Sequence, residues 1–584
     1  MNPLIIMLAA ATSVPHSRPR TEVADIVIYG CSPAGIAAAV EAKRERRSVV
    51  LICRNAHVGG ITTNGLGWAD TGDHAAIGGM AKQFYRDVRR YYAVRGVAFV
   101  KGQPQSTLDD ASAMYVFEPH VAEAIFETWL TNAGIVPIRS APLRRDGHGV
   151  AKVGNHVISI SVADGRVFRG REFIDTSYEG DLMAEAGVRF VTGREANVTY
   201  GETLNGIQNA NATHHQFDKP VDPYVVSGQP SSGLLPRIEA GPAGTDGEAD
   251  ARIQAYNYRL CMTKLPANRA PISRPENYDP HQYELLGRYL DAGWRDLFAK
   301  YDAIPGGKTD TNNYGAFSMD DIGMNYKYPT GSDAVRAQIA DEHRAYQQGL
   351  LWFMKNDLRS PSDVRAAMKP WGLCADEFND NAHWPHEMYV REARRMVSDF
   401  VVTERHLWGR LPTPHSIGLG SYNMDSHNVR RYVDTQGHAR NEGNIEVSPR
   451  RYYEISYEAV TPRKADSDNL LVPVALSASH IAYDSIRTEP DFMILAQASA
   501  TAAGIAIGEG VAVQDVPYAK LRPSLLAQGQ ILDTPVGTVE LRIHLGPARF
   551  YRYITVISGA LLIGFGVFCR MRTRKRTLAN QREN

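Results

Sequence analysis

The chain has 584 residues, and its 64 Lys+Arg are matched by 64 Asp+Glu. That balance excludes the basic stripe of a nucleic-acid binder, and the length allows a large core and two or three domains. Five cysteines (Cys31, Cys53, Cys261, Cys374 and Cys569) are scattered without a C-x-x-C, which excludes a zinc knuckle or dithiol centre and argues against a disulfide framework.

In chain order, residues 1–20 come first. Pro3 to Ala11 is an apolar run followed by small residues, the pattern of a signal peptide, although no Lys or Arg precedes it. DIVIYGCSPAGIAAAVEAKRERRSVVLICRN follows, from Asp25 to Asn55. Ile26 to Tyr29 reads as a buried parallel strand, Ala34 to Arg46 as a helix, and Ser48 to Cys53 as a second strand. Gly30, Ser32 and Gly35 occupy the three positions of G-x-G-x-x-G, with serine in the middle. Strand, glycine turn, helix and strand together make a Rossmann-like dinucleotide unit. Its helix N-terminus suits a pyrophosphate, because unpaired N–H groups and the helix dipole favour an anion there. Pro33 suits the first helical turn, where its missing N–H is no loss. Cys53 stands where an acid is expected to hold the ribose hydroxyls, so that bond is absent or supplied by Arg54 or Asn55. Gly59-Gly60 then provides flexible backbone just after the second strand.

REFIDTSYEGD, from Arg171 to Asp181, is an apolar strand ending at Asp175. Residues 23–200 therefore form the first part of the dinucleotide domain. Residues 201–440 lose that pattern, are rich in Tyr, Trp, Asn and His, and read as an inserted α+β substrate or cap domain. GPAG at Gly241 follows no convincing strand, so a second nucleotide site for NAD(P) is not expected. WPHEMYVREARR offers Trp384, His386, Tyr389 and Arg391 as site candidates; His386 and Glu387 resemble part of H-E-x-x-H, but Val390 replaces the second His, and no metal site is expected. MDSHNV places Asp425 and His427 two residues apart, on one face if extended, although the surrounding Gly, Ser and Asn favour a loop. Residues 441–512 complete the dinucleotide domain with a buried strand and a long small-residue helix starting near Pro490 and carrying Gln497. SASHIAYDSIR, just ahead of that helix, offers His480 and Arg487. His480, His427 and Arg487 are the catalytic candidates, since oxidation of a C–H bond needs a base and a positive charge. After residues 513–548, a C-terminal extension, Tyr553 to Cys569 is uncharged and long enough to span a bilayer. Residues 570–584 are strongly basic, so the tail is expected in the cytoplasm and the body outside it.

Several segments together carry a resemblance. They are GCSPAGIAAAV, HVGGITTNGLGWADTGDHAAIGG, FEPHVAEAIFE, FIDTSYEGDLMAEAG, GREANVTYGETLNGIQ, YVREARRMVSDFVVTE, GLGSYNMDSHNV and LLVPVALSASHIAYDSIRTEPDFMILAQ, and they span about Asp25 to Leu525. The chain resembles the bacterial FAD-dependent oxidoreductase family often labelled alongside xanthan lyase. The resemblance implies an α/β fold with a glutathione-reductase-type FAD domain assembled from distant segments, and FAD rather than NAD as cofactor. It implies that Gly30, Ser32 and Gly35 line the pyrophosphate and that Gly59 and Gly60 approach the flavin. Arg54, Asp175 and Gln497 complete the cofactor candidates. Two functions stay open: an enzyme oxidising a small polyhydroxylated, sugar-like substrate and passing electrons to oxygen, a quinone or a carrier protein, or a membrane-anchored FAD-binding electron-transfer or scaffold subunit without its own organic substrate.

Overall fold

In the computed structural model of the chain, residues 21–97 and 112–534 are described. The proposed signal peptide, the span at 553–569 and the basic tail lie outside them. The cofactor end is built on a parallel sheet in the order Leu470–Leu471, Glu172–Asp175, Ile26–Tyr29, Val49–Ile52. All four residues of Ile26–Tyr29 and of Glu172–Asp175 are buried, as central parallel strands with both faces covered require. Helix Pro33–Arg44 packs on this sheet and against helix Glu489–Glu509. Both are alanine-rich on their buried faces, which lets the two backbones approach closely.

Helix Glu489–Glu509 has the length and apolarity to cross a membrane, but its apolar window is 89% buried within the protein. Hydrophobic on every side, it is a core helix. A second sheet, with strands Thr21–Val23, Val167–Arg169, His156–Ser161 and Val150–Val153, covers the other side of the parallel sheet through its own apolar cluster.

Residues 260–374 contribute an antiparallel five-stranded sheet in the order Arg269–Ala270, Gly372–Cys374, Leu260–Thr263, Lys308–Thr311, Tyr301–Ile304. Together with helix Asp333–Asn356 it surrounds a separate apolar cluster drawn from positions 221–439. Both clusters nevertheless belong to one compact unit of the chain that ends at Thr534.

Four of the cysteines are paired, which corrects the expectation from their spacing. Cys31 joins Cys53 and Cys261 joins Cys374, with Cα–Cα distances of 5.0 and 5.5 Å. Strands, and not sequence intervals, bring the partners together. Tyr29 lies opposite Ile52 in the parallel pair, so each chain delivers a cysteine just beyond that point. Leu373 lies opposite Met262, and one step further along the same antiparallel register Cys374 meets Cys261. Cys53 is therefore no thiol stand-in for a ribose-binding acid.

Candidate functional site

The first strand ends at Gly30, whose φ of +112° favours glycine, and a Cβ there would come within 2.6 Å of Ser177 N. A Cβ on Gly35 would lie 1.9 Å from Gly30 O, so the helix seats directly on the turn. Ser32 is the N-cap of that helix. Its hydroxyl accepts from Gly35 N at 3.4 Å and donates to Thr176 O at 2.8 Å. Serine at the middle position thus ties the turn to the end of the neighbouring strand. Gly59, at φ +96°, donates its N–H to Cys31 O at 2.7 Å, and a Cβ on Gly60 would stand 2.3 Å from Tyr178 Oη.

Along this turn lies a cavity of about 180 Å³, lined by Gly30, Ser32, Arg54 and Gly60 among the anticipated residues. Sequence reasoning did not foresee His57, Tyr178, Glu179 and Arg336, which also face it, and singled out His386 and Glu387 only for their likeness to a metal motif. Arg54 Nη2 donates to Asp333 at 3.3 Å, while its buried Nη1 has no hydrogen-bond partner and sits 3.7 Å from Glu179. Behind it, Asp181 receives Arg336 at 2.8 Å, Arg394 at 3.0 Å and Arg145 at 3.2 Å. Burial opposes the charge of Asp181, but the three guanidiniums outweigh it and hold the carboxyl well below its usual range. Of the arginines gathered here, Arg54 and Arg336 line the cavity, alongside Glu179 and Glu387.

A turn that no side chain can enter, a capped helix N-terminus and an unpaired guanidinium N–H fit a dinucleotide diphosphate. Gly30 and Ser32 with the helix N-terminus would hold such a diphosphate, with Arg54 beside it.

The other cofactor candidates do not line the cavity. Gly35 and Gly59 act behind the turn. Asp175 is fully buried, accepting from Ser177 Oγ at 2.6 Å and Met183 N at 2.8 Å, so it secures the strand-end turn. Burial pushes its carboxyl up to about 6 in spite of these bonds. Gln497 accepts from Met80 N at 2.9 Å and donates to Glu41 at 3.0 Å, joining three helices.

The catalytic candidates meet in a second, side-chain-built centre. Strand Met424–Ser426 pairs with Ile445–Val447, so MDSHNV begins extended and is no simple loop. His427 Nδ1 lies 2.8 Å from Asp320 Oδ2, and its Nε2 lies 3.7 Å from Asp425 Oδ2. Burial and Arg391 disfavour its protonation, but Asp320 and Asp425 prevail and raise its pKa. Arg487 reaches Asp425 at 3.1 Å, Asp484 at 3.1 Å and the Tyr389 hydroxyl at 3.1 Å. Arg391 reaches Asp320 at 3.0 Å. His480 belongs to the same network, with Nδ1 2.7 Å from Glu392 and Nε2 3.5 Å from Asp484. Burial pushes His480 down to about 4, so it is a neutral hydrogen-bonding ring inside the network.

Tyr178 links the two centres. Its hydroxyl accepts from Ile61 N at 3.1 Å and donates to Glu489 at 2.7 Å, and its ring packs on the Ile61, Leu66 and Tyr389 cluster.

No curated protein matches the chain. Solved structures with similar parts include L-proline dehydrogenase from P. horikoshii, at 13% identity and TM-score 0.22 over 30% of this chain and 59% of that one. The 3-ketosteroid-delta4-(5alpha)-dehydrogenase from Rhodococcus jostii matches at 15% identity and TM-score 0.19 over 30% and 51%. A flavin-containing monooxygenase from Stenotrophomonas maltophilia matches at 15% identity and TM-score 0.18 over 32% and 45%. The matched part is thus about half the length of these proteins. The family model described as "FAD dependent oxidoreductase" matches residues 25–525. With most of its length inside that match, the chain belongs to the FAD-dependent oxidoreductase family, and FAD is its cofactor.

Proposed function

We propose that the enzyme oxidises a small polyhydroxylated, sugar-like substrate and passes the electrons to oxygen, a quinone or another carrier. The observation that carries this reading is the Asp320–His427 pair beside Arg487. Bound FAD supplies an acceptor for a hydride. With Nδ1–H donated to Asp320 and Nε2 3.7 Å from Asp425, His427 is placed to take a hydroxyl proton and hold it as an imidazolium between two carboxylates. Arg487 and Arg391 supply positive charge that stabilises a substrate oxygen losing that proton. The aromatic, Asn-rich segment at 201–440 supports a hydroxyl-rich substrate, because such residues stack on and hydrogen-bond to sugar rings. An anaerobic titration of the purified flavoprotein with a panel of sugars and sugar derivatives tests this. Bleaching of the flavin absorbance by one of them is expected, and a flavin that stays oxidised across the panel sinks the proposal.

We infer further that the body lies outside the cytoplasm, anchored by Tyr553 to Cys569 with the basic tail inside. Support comes from the two disulfides, which persist in oxidising compartments and are rare in the cytosol. Protease added to intact spheroplasts should digest the body, whereas full protection until lysis returns it to the cytoplasm.

A further inference from the structure

Among the described residues, three groups of His, Asp and Glu side chains bring donor atoms within 4.8 Å of one another. Two are already neutralised by the protein. Lys308 Nζ sits 2.7 Å from Glu377 and 2.8 Å from Glu118 in the group that includes His120. In the group of Glu392, His480 and Asp484, Arg395 contacts Glu392 and Arg487 contacts Asp484. The third group, His57, Asp380 and His386, has no Lys or Arg partner among the described residues.

We propose that His57, Asp380 and His386 form a binding site for a divalent transition-metal ion of the zinc class, at the rim of the cofactor cavity. Both histidines line that cavity. Their rings stack with centroids 3.8 Å apart and an interplanar angle of 22°. The two Nε2 atoms consequently face the same way, each 2.9 Å from a different oxygen of Asp380. Those three side chains offer two imidazole nitrogens and a carboxylate, the donor mixture a borderline ion such as zinc prefers, whereas Mg²⁺ and Ca²⁺ select oxygen alone. His57 Nδ1 lies 2.8 Å from Glu123 Oε1. That second carboxylate fixes the ring and raises the basicity of the ligating nitrogen, as an outer carboxylate does behind most metal-bound histidines. Asp380 and Glu123 carry two negative charges against the two of the ion, so the site is balanced without any further group. Three protein ligands leave a position for water or a substrate oxygen.

The site joins loops that are far apart in the chain. His57 follows the second strand of the dinucleotide unit, and Asp380 stands 323 positions later. An ion there clamps the two walls of the cavity together. The sequence hid it because H-E-x-x-H was sought on one helix, and the second histidine comes from elsewhere in the chain.

Equilibrium dialysis of the tag-free, FAD-loaded full chain, stripped with chelator and then offered Zn²⁺ alone, tests the site. Wild type is expected to hold one equivalent. Asp380→Asn and His57→Ala should lose it, Glu123→Gln should weaken it by about 10–100-fold, and His120→Ala should bind as wild type does. Asp380 is largely exposed, so Asp380→Asn keeps the test valid even if His57→Ala folds poorly. Zinc binding that is absent in wild type, unchanged in Asp380→Asn, or matched by Mg²⁺ would overturn the assignment.

Discussion

The cofactor turn and the histidine–arginine network sit in one molecule but are made of different material. The turn is made of backbone: glycines without side chains, a capped helix end and N–H groups held within one short stretch of sequence. The network is made of side chains from four distant segments, in which Arg391, His427, Arg487, Asp320 and Asp425 neutralise one another in a buried setting. A backbone-built site tolerates almost no added atoms yet little depends on charge. A site built from buried ion pairs tolerates modest changes of shape and fails when a charge is left alone.

The sharpest contrast comes from adding bulk to the first site. Gly35→Trp is expected to abolish flavin retention, because even a Cβ there lies 1.9 Å from Gly30 O. A folded, yellow variant would place the cradle elsewhere. At the second site, His427→Gln keeps the size and removes the base. It should slow flavin reduction by substrate about 10²–10⁴-fold while flavin content stays unchanged, which stopped-flow absorbance measures. Asp181→Asn tests charge at the cofactor end instead, because it strips the carboxylate from under Arg336, Arg394 and Arg145. Denaturant unfolding should show a loss of about 3–5 kcal/mol. Removing the covalent tie at the turn by a Cys31→Ser, Cys53→Ser pair should cost about 3 kcal/mol, and the flavin should dissociate more readily.

A last effect is a pH dependence. Burial, aided by Glu387 and Asp70 and opposed by the Tyr178 hydrogen bond, pushes Glu489 up to about 8. A carboxyl raised from 4.5 costs no stability below that pH, and an increasing amount as pH climbs through 8. Glu489→Gln should therefore gain steadily on wild type from pH 5 to about pH 8 and keep that advantage at pH 9. A constant difference across that range would mean that Glu489 is ionised throughout.

How much of this was legible in the sequence follows the same divide. Gly30, Ser32 and Gly35 announced the turn because backbone requirements are met by neighbours in the chain, and Arg54 and Gly60 came with it. Asp175 and Gln497 read as cofactor contacts because a polar residue at a strand end or on a buried helix looks the same whether it faces a ligand or a neighbouring backbone. His427 and Arg487 were visible as chemistry, and Tyr389 and Arg391 stood out in WPHEMYVREARR, but Asp320, which bonds both His427 and Arg391, carries no local signature. The disulfides were missed for a related reason: registers between strands, and not intervals between cysteines, decide which thiols meet.

The parallel sheet also has a consequence for biosynthesis. Its edge strand Leu470–Leu471 and the helix Glu489–Glu509 that covers Pro33–Arg44 are the last parts of the cofactor end to be made. At about 5–20 residues per second, the glycine turn leaves the ribosome roughly 20–90 s before its covering helix. Throughout that interval an alanine-lined apolar face stands open. A nascent chain stalled before residue 470 should accordingly bind holdase chaperones and retain no flavin, whatever the state of its first strand, turn and helix.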